Sequence, residues 1–275
     1  MKMQFQITRF LPYILIVAAI VMLHGCDMVE YHPYDTRIGG ETRLTGKMIE
    51  RIEEATEGKD TIRFAVVSDT QRWYDETKML VSDINKHPEI DFVLHLGDMT
   101  DFGMTKEFVL QRRIFRELHC PYVCLIGNHD CLGTGEDVYH TMFGDDNFSF
   151  NASFIHFVAL NTNAFEYDYS YAIPNFTYIK NDIESIPDSV SHTITLMHSV
   201  PYTEQFNNNI AEYFNYMLKQ YPNLLCCFGG HSHHFEVQTP FPDSVPYYIC
   251  GCAETKAYYY FTLTRDSCSY EIIEV

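Results

Sequence analysis

The sequence predicts an α/β fold in which two packed, mixed β-sheets are flanked by helices. Two observations carry that expectation. Between Thr61 and Ile126, short apolar β-branched runs alternate with segments of helical spacing, the β-α-β-α-β order of a largely parallel sheet. The second half is richer in strand-like runs, enough for a second sheet. With 275 residues, 46% of them hydrophobic, the chain can bury a substantial core in one large domain.

The elements follow in order. Met48, Ile49, Ile52 and Ala55 fall at helical spacing between Lys47 and Glu57, and Gly58 ends the helix. Arg63 to Val67 reads as a strand running into Ser68-Asp69-Thr70-Gln71. Met79, Leu80 and Ile84 predict a helix from Lys78 to Asn85. The strand from Asp91 to Leu96 runs into Gly97-Asp98-Met99-Thr100-Asp101. A helix from Lys106 to Leu118 precedes the strand Tyr122 to Ile126, which ends in Gly127-Asn128-His129-Asp130. Further strands are expected at Ser153 to Leu160, Thr193 to Met197, Leu224 to Phe228, Tyr247 to Cys250 and Tyr258 to Leu263. A helix is expected from Asn209 to Tyr221. Arg265-Asp266-Ser267 reads as a hairpin turn before a last strand around Tyr270 to Ile273.

The first residues read as a targeting segment. Lys2 and Arg9 are the only charges before Asp27, and Phe10 to Leu23 is almost wholly apolar. That run is shorter than a membrane span of roughly 17–25 residues and suits a secretory signal. Leu23-His24-Gly25-Cys26 resembles the lipobox of bacterial lipoproteins, although His24 departs from the small or aliphatic residue usual there. The resemblance implies a lipoprotein signal peptide over residues 1–25, lipidation of Cys26 and a lipid-anchored place in the bacterial cell envelope, with the leaflet open. Residues 26–60 then form a tether and lead-in helix, and 61–275 the domain.

The formal net charge is −18, and removing residues 1–25, which carry two cations and no acid, makes it −20. So acidic a chain repels a phosphate backbone, which argues against nucleic acid as partner but not against a small phosphorylated ligand held through bound cations. Of nine cysteines, most of those after Cys26 lie in apolar runs such as Leu224-Leu225-Cys226-Cys227-Phe228, and none forms a pair with zinc-site spacing. Buried free thiols are expected.

The chemistry lies in where polar residues fall. Asp69, Asp98, Asn128, His198 and the pair His231/His233 each sit just past the C-terminal end of an apolar strand, the edge at which open α/β sheets bind ligands. Carboxylate, amide oxygen and imidazole together suit Mn, Fe or Zn better than a thiolate-selecting site would. In Gly230-His231-Ser232-His233 the imidazoles are two apart and share a face of an extended segment.

These motifs, in this order over Arg63 to His234, resemble the signature of the calcineurin-like metallophosphoesterases. The resemblance implies that family's four-layer metallophosphoesterase sandwich and two divalent metal ions. One would be held by Asp69, Gln71, Asp98 and His233, the other by Asp98, Asn128, His198 and His231, with Asp98 shared. It further implies hydrolysis of phosphate mono- or diesters by a metal-bridged hydroxide attacking phosphorus in line. His129 would assist the leaving group, and Asp101 would orient His129. Gln71 stands where histidine is commoner. Phe102 and Asp130 replace the arginine and glutamate of protein Ser/Thr phosphatases, which points to small phosphorylated substrates. A noncatalytic phospho-ligand-binding lipoprotein and an envelope pyrophosphatase stand beside this reading. Metal identity, oligomeric state and physiological substrate are left open by the sequence.

Overall fold

In the computed structural model the described residues are 34–167 and 169–275, with Tyr13 and His32; Cys26 and nearly all of the expected signal segment lie outside them. Two mixed sheets form the centre. The first has the order β11-β10-β1-β2-β3, built from β1 (Thr61–Val67), β2 (Phe92–His95), β3 (Tyr122–Cys124), β10 (Ala257–Thr264) and β11 (Cys268–Glu274). β1, β2 and β3 run parallel, while β10 pairs antiparallel with both β1 and β11.

The second sheet has the order β4-β5-β6-β7-β9-β8. It comprises β4 (Phe148–Ala152), β5 (Ile155–Leu160), β6 (His192–Met197), β7 (Leu224–Gly229), β8 (Glu236–Gln238) and β9 (Tyr247–Ile249). Its inner strands β5, β6, β7 and β9 are parallel, and β4 and β8 are antiparallel edges. β5 is buried along its whole length, as expected of a parallel strand covered on both faces.

Aromatic side chains join the sheets. Phe64 on β1 stacks on Phe92 and Phe261 of the neighbouring strands, at centroid distances of 5.3 and 5.4 Å. It meets Phe157 and Phe228 of the facing sheet edge-on, at 5.5 and 5.9 Å. Each such ring contributes about 1.5–3 kcal/mol by burial. On the outer face of the second sheet, Val158, Met197 and Cys227 pack with Ile179 of α5 (Phe176–Ser185) and with Phe214 and Leu218 of α6 (Ala211–Leu218). α2 (Tyr74–Ile84) and α3 (Thr105–Phe115) pack side by side.

Helix α1 (Leu44–Thr56) buries Leu44, Met48 and Ile52 in the main core, and the compact unit runs from Thr36 to Val275. The helix expected as a lead-in outside the domain is therefore packed into it. α1 lies against β3 and β4, the outer strands of the two sheets, and Glu53 Oε1 accepts the Asn151 main-chain N–H at 3.1 Å.

Four strands and helices go beyond the expected set: β4, the short edge strand β8, and two helices. The strand expected from Ser153 begins at Ile155 and is preceded by β4, whose Ser149 and Asn151 break the apolar run into a short alternation. α4 (Gly135–Met142) has only eight residues, too few to establish a period, and α5 is moderately amphipathic with a polar exposed face. The eight cysteines from Cys120 onward are free, and all but Cys131 and Cys268 are buried.

Candidate metal centre

Each candidate ligand sits where a strand stops and the chain turns sharply. Asp69 and Asp98, after β1 and β2, have φ of 50° and 59°; His231 and His233, past β7, have 69° and 60°. Such left-handed backbone costs of order 1–3 kcal/mol for a residue with a side chain, and persists where surrounding structure imposes it. The loops impose it on one another. Asp69 N donates to Gly97 O at 3.0 Å, Gln71 N to Asp98 O at 3.2 Å, and Gly230 N to His198 O at 2.9 Å. Gly127 is required where two of these loops cross, since a Cβ there would overlap the Asp98 main-chain nitrogen and Oδ1.

The donor atoms fall into two groups that share one residue. Asp98, His198 and His231 offer ligand atoms within 4.8 Å of one another, and so do Asp69, Asp98 and His233. Asn128 Oδ1 lies 3.0 Å from both His198 Nε2 and His231 Nδ1, which places it in the first group.

The proton inventory of that group is short of positive charge. His198 Nδ1 faces the Leu96 carbonyl at 2.8 Å; a carbonyl only accepts, so Nδ1 carries the hydrogen. In the neutral ring, Nε2 then brings a lone pair to Asn128 Oδ1 and, at 3.4 Å, to Asp98 Oδ2. His231 directs Nε2 outward to Glu204 Oε1 at 3.2 Å and turns Nδ1 to Asn128. Lone pairs of a carboxylate, an amide and two imidazoles thus converge, which repels unless a proton or a cation stands among them. Burial opposes charge on His198, yet the Asp98 and Asp69 carboxylates outweigh it and raise its pKa to about 9.

In the second group Asp69 Oδ1 is buried and makes no hydrogen bond, although His233 Nε2 is 3.3 Å away. A buried oxygen left so costs about 1–3 kcal/mol or more, and a divalent ion would satisfy it. The residues present fit two cations.

Gln71 and Asp101 differ in detail from what the resemblance implies. Gln71 Nε2 donates to Asp98 Oδ2 at 3.0 Å, so a nitrogen faces the shared carboxylate; half a turn of the amide brings Oε1 to that position, the orientation a cation selects. His129 N donates to Asp98 Oδ1 at 2.9 Å, and its ring Nδ1 lies 2.8 Å from the main-chain carbonyl of Asp101. The Asp101 carboxylate is instead taken by Arg72, whose Nε donates to it at 2.9 Å and whose Nη2 lies closer still. Asp101 therefore holds His129 through the backbone, because Arg72, next to Gln71, captures its acid group.

The neighbouring polar residues are structural. Asp130 accepts from the main-chain N–H groups of Gly127, Asp98, Met99 and Thr100 and from the Thr100 hydroxyl. Burial and the Asp98 carboxylate push its pKa up to about 7 against the pull of these donors, and the loops are organised around this one carboxyl group. Burial lowers the His95 pKa to about 4 and keeps it neutral, accepting from Gly97 N and donating to Thr70 Oγ1. His156 pairs with Asp182 and His192 meets the Arg265 carbonyl. The exposed His234 faces Glu236. Trp73 meets the His233 ring edge-on at 5.7 Å, whereas Phe206 is buried in the second core and does not line the site.

Two sheets whose strand ends gather donor groups around a shared carboxylate define a protein built for a pair of metal ions. The family model described as calcineurin-like phosphoesterase matches residues 62–235, and the chain belongs to that family. A 3',5'-cyclic-nucleotide phosphodiesterase of Nostoc sp. is 22% identical over 154 residues, covering 53% of this chain and 57% of that relative's length. The chain spans little more than half the length of the curated relative it matches. The fold is similar to that of a purple acid phosphatase from yellow lupin, with a TM-score of 0.63 at 14% identity over 79% of this chain and 52% of that one. It is also similar to a dimetal phosphatase from Danio rerio, with a TM-score of 0.61 at 11% identity over 78% and 97% of the two chains.

Proposed function

We propose that the protein is a metal-dependent hydrolase of small phosphate mono- or diesters, held at the bacterial cell envelope by a lipid on Cys26. The observation that carries the reading is the sharing of Asp98 between two donor groups, with His129 bonded to the same carboxylate. Asp69, Gln71, Asp98 and His233 would hold one cation, and Asp98, Asn128, His198 and His231 the other, of the Mn, Fe or Zn type. Such a pair supplies Lewis acidity to phosphoryl oxygens and acidifies the attacking water.

The rest falls to the chain's own groups. Nδ1–H of His129 is committed to the Asp101 carbonyl, so Nε2 is the atom that can hold and release a proton to a departing alkoxide. The main-chain bond from His129 to Asp98 fixes where that ring starts relative to the donor groups. His129→Ala is expected to slow turnover ~10²–10⁴-fold with cation content unchanged. The loss should be largest for alkyl esters and smaller for nitrophenyl esters, whose leaving group departs without a proton. Equal losses for both kinds would remove the proton-donor role.

The reading is tested with purified protein loaded with Mn, Fe or Zn and offered chromogenic mono- and diesters. The name of the Nostoc relative adds 3',5'-cyclic nucleotides to that panel. Turnover abolished by chelation and restored by metal supports it. Protein that binds two cations yet turns over nothing would be a phospho-ligand-binding lipoprotein. No described helix is long and apolar enough to cross a membrane, and the envelope assignment rests on the apolar run before Cys26. Cys26→Ala should move the protein from the membrane to the soluble fraction; unchanged fractionation would refute lipid anchoring.

A further inference from the structure

We propose that Glu204 is a positioning residue for one of the two cations, the one grouped with His231, an inference that rests on the metal-site reading above. His231 is a ligand candidate whose ring reaches the edge of the site, its side chain 14% exposed. It is partly exposed, and its main-chain N–H donates to Asp69 Oδ2 at 3.1 Å, which places the backbone but leaves the ring free to turn. A neutral imidazole facing a cation through Nδ1 must carry its hydrogen on Nε2. Glu204 Oε1, 3.2 Å from Nε2, selects that tautomer and fixes the ring plane. Leu96 O does the same for His198 from the opposite nitrogen. Both imidazoles of this group thus have the outward N–H taken by an oxygen and the inward nitrogen aimed at Asn128 Oδ1. A carboxylate acceptor also makes the imidazole a more basic ligand.

Glu204 is 79% exposed, so as an ion pair it contributes little to stability. Its place is nevertheless set by what flanks it. Gln205 and Phe206 are buried, Gln205 Nε2 donates to Glu166 Oε1 at 2.8 Å, and Phe165 N donates to Gln205 O at 3.3 Å. On the other side, Tyr202 N donates to Asn208 Oδ1 at 2.7 Å and its hydroxyl to Glu212 Oε1 at 3.1 Å. An exposed acid on a loop pinned at both ends, reaching a ligand candidate, is positioned for the ring and not for the fold. Its ion-pair partner is the outward-facing Nε2 edge of His231.

The test is calorimetric titration of metal-free protein with Mn and with Zn, comparing the unaltered chain with Glu204→Ala, Glu204→Gln and His231→Ala. Glu204→Ala is expected to weaken one of two binding events about 10–100-fold and leave the other within twofold, with an unchanged thermal midpoint. Glu204→Gln, which keeps an acceptor oxygen but no charge, should fall between. Retention of both affinities in Glu204→Ala, or equal weakening of both, would overturn the inference. The His231→Ala arm separates this from failure of the metal reading itself. If the unaltered chain binds fewer than two cations, or His231→Ala binds as the unaltered chain does, the site reading fails before Glu204 is at issue.

Discussion

Asp98→Ala is expected to remove both cations and to lower phosphoester hydrolysis by about 10³-fold or more, the scale on which a single preorganised charge group acts in a closed site. No other residue among those described has that reach. Asp98 belongs to both donor groups, accepts the His129 main-chain N–H, and lies against His198 and Gln71. Its acid is held below the usual carboxylate range: burial opposes the ionised form, and the charge and hydrogen bond of His198 outweigh it. Removing it leaves His198 buried without its nearest counter-charge and leaves His129 without its anchor. Asp98→Asn keeps an acceptor for His129 and nearly the same volume. It should therefore keep the fold while still losing most metal affinity, which separates loss of charge from loss of shape. Metal content after dialysis and hydrolysis of a nitrophenyl diester are the readouts. Two retained cations with turnover within tenfold of the unaltered chain would dismiss the shared-carboxylate site.

Asp130→Ala should cause the largest loss of stability among single changes near the site, about 3–5 kcal/mol. Four main-chain N–H groups from three consecutive loop residues and from Gly127 point at this one buried carboxylate. Without it they have no acceptor, and each buried donor left unmet costs about 1–3 kcal/mol, relieved in part where water can enter. In a domain of this size each kcal/mol lowers the thermal midpoint by about 2–4 °C, so the variant should melt at least about 6 °C lower. Asp130→Asn, with its amide N–H₂ turned against some of those donors, should recover only part of the loss. A drop of under 1 kcal/mol in urea denaturation would show that the loops are held by something else. Because these loops carry Asp98 and Asn128, cation binding should weaken along with stability.

The strand ends were the most legible part of the molecule. β1, β2, β3, β6 and β7 are short and mostly apolar, and each is followed by a polar group that would be costly to bury without a purpose, so pattern alone places Asp69, Asp98, Asn128, His198 and the His231/His233 pair at one edge. β4 was missed for the opposite reason: Phe148-Ser149-Phe150-Asn151-Ala152 alternates over only five residues, and Ser153, at φ 54°, makes the turn without a glycine. Pairing with β5, not its own residues, makes it a strand. At the site, side-chain identity was readable and side-chain direction was not. Asp101 has the expected position, but the guanidinium of Arg72 competes for its acid, and no spacing rule reveals that. Leu96 contributes a main-chain carbonyl, which has no signature in sequence. Glu204 lies in an irregular loop at no regular distance from the residue it meets.

Helix α1 spans the open flank of both sheets at once, and Glu53 supplies from a side chain the acceptor that a further strand would have offered to Asn151. A chain trimmed to begin at Thr61 would present two raw strand borders on one side, each a ready template for a second copy. Molecules tethered to one membrane surface meet often and in similar orientations. Were Cys26 lipidated as proposed, helix α1 would be the covering that keeps such neighbours from pairing strand to strand.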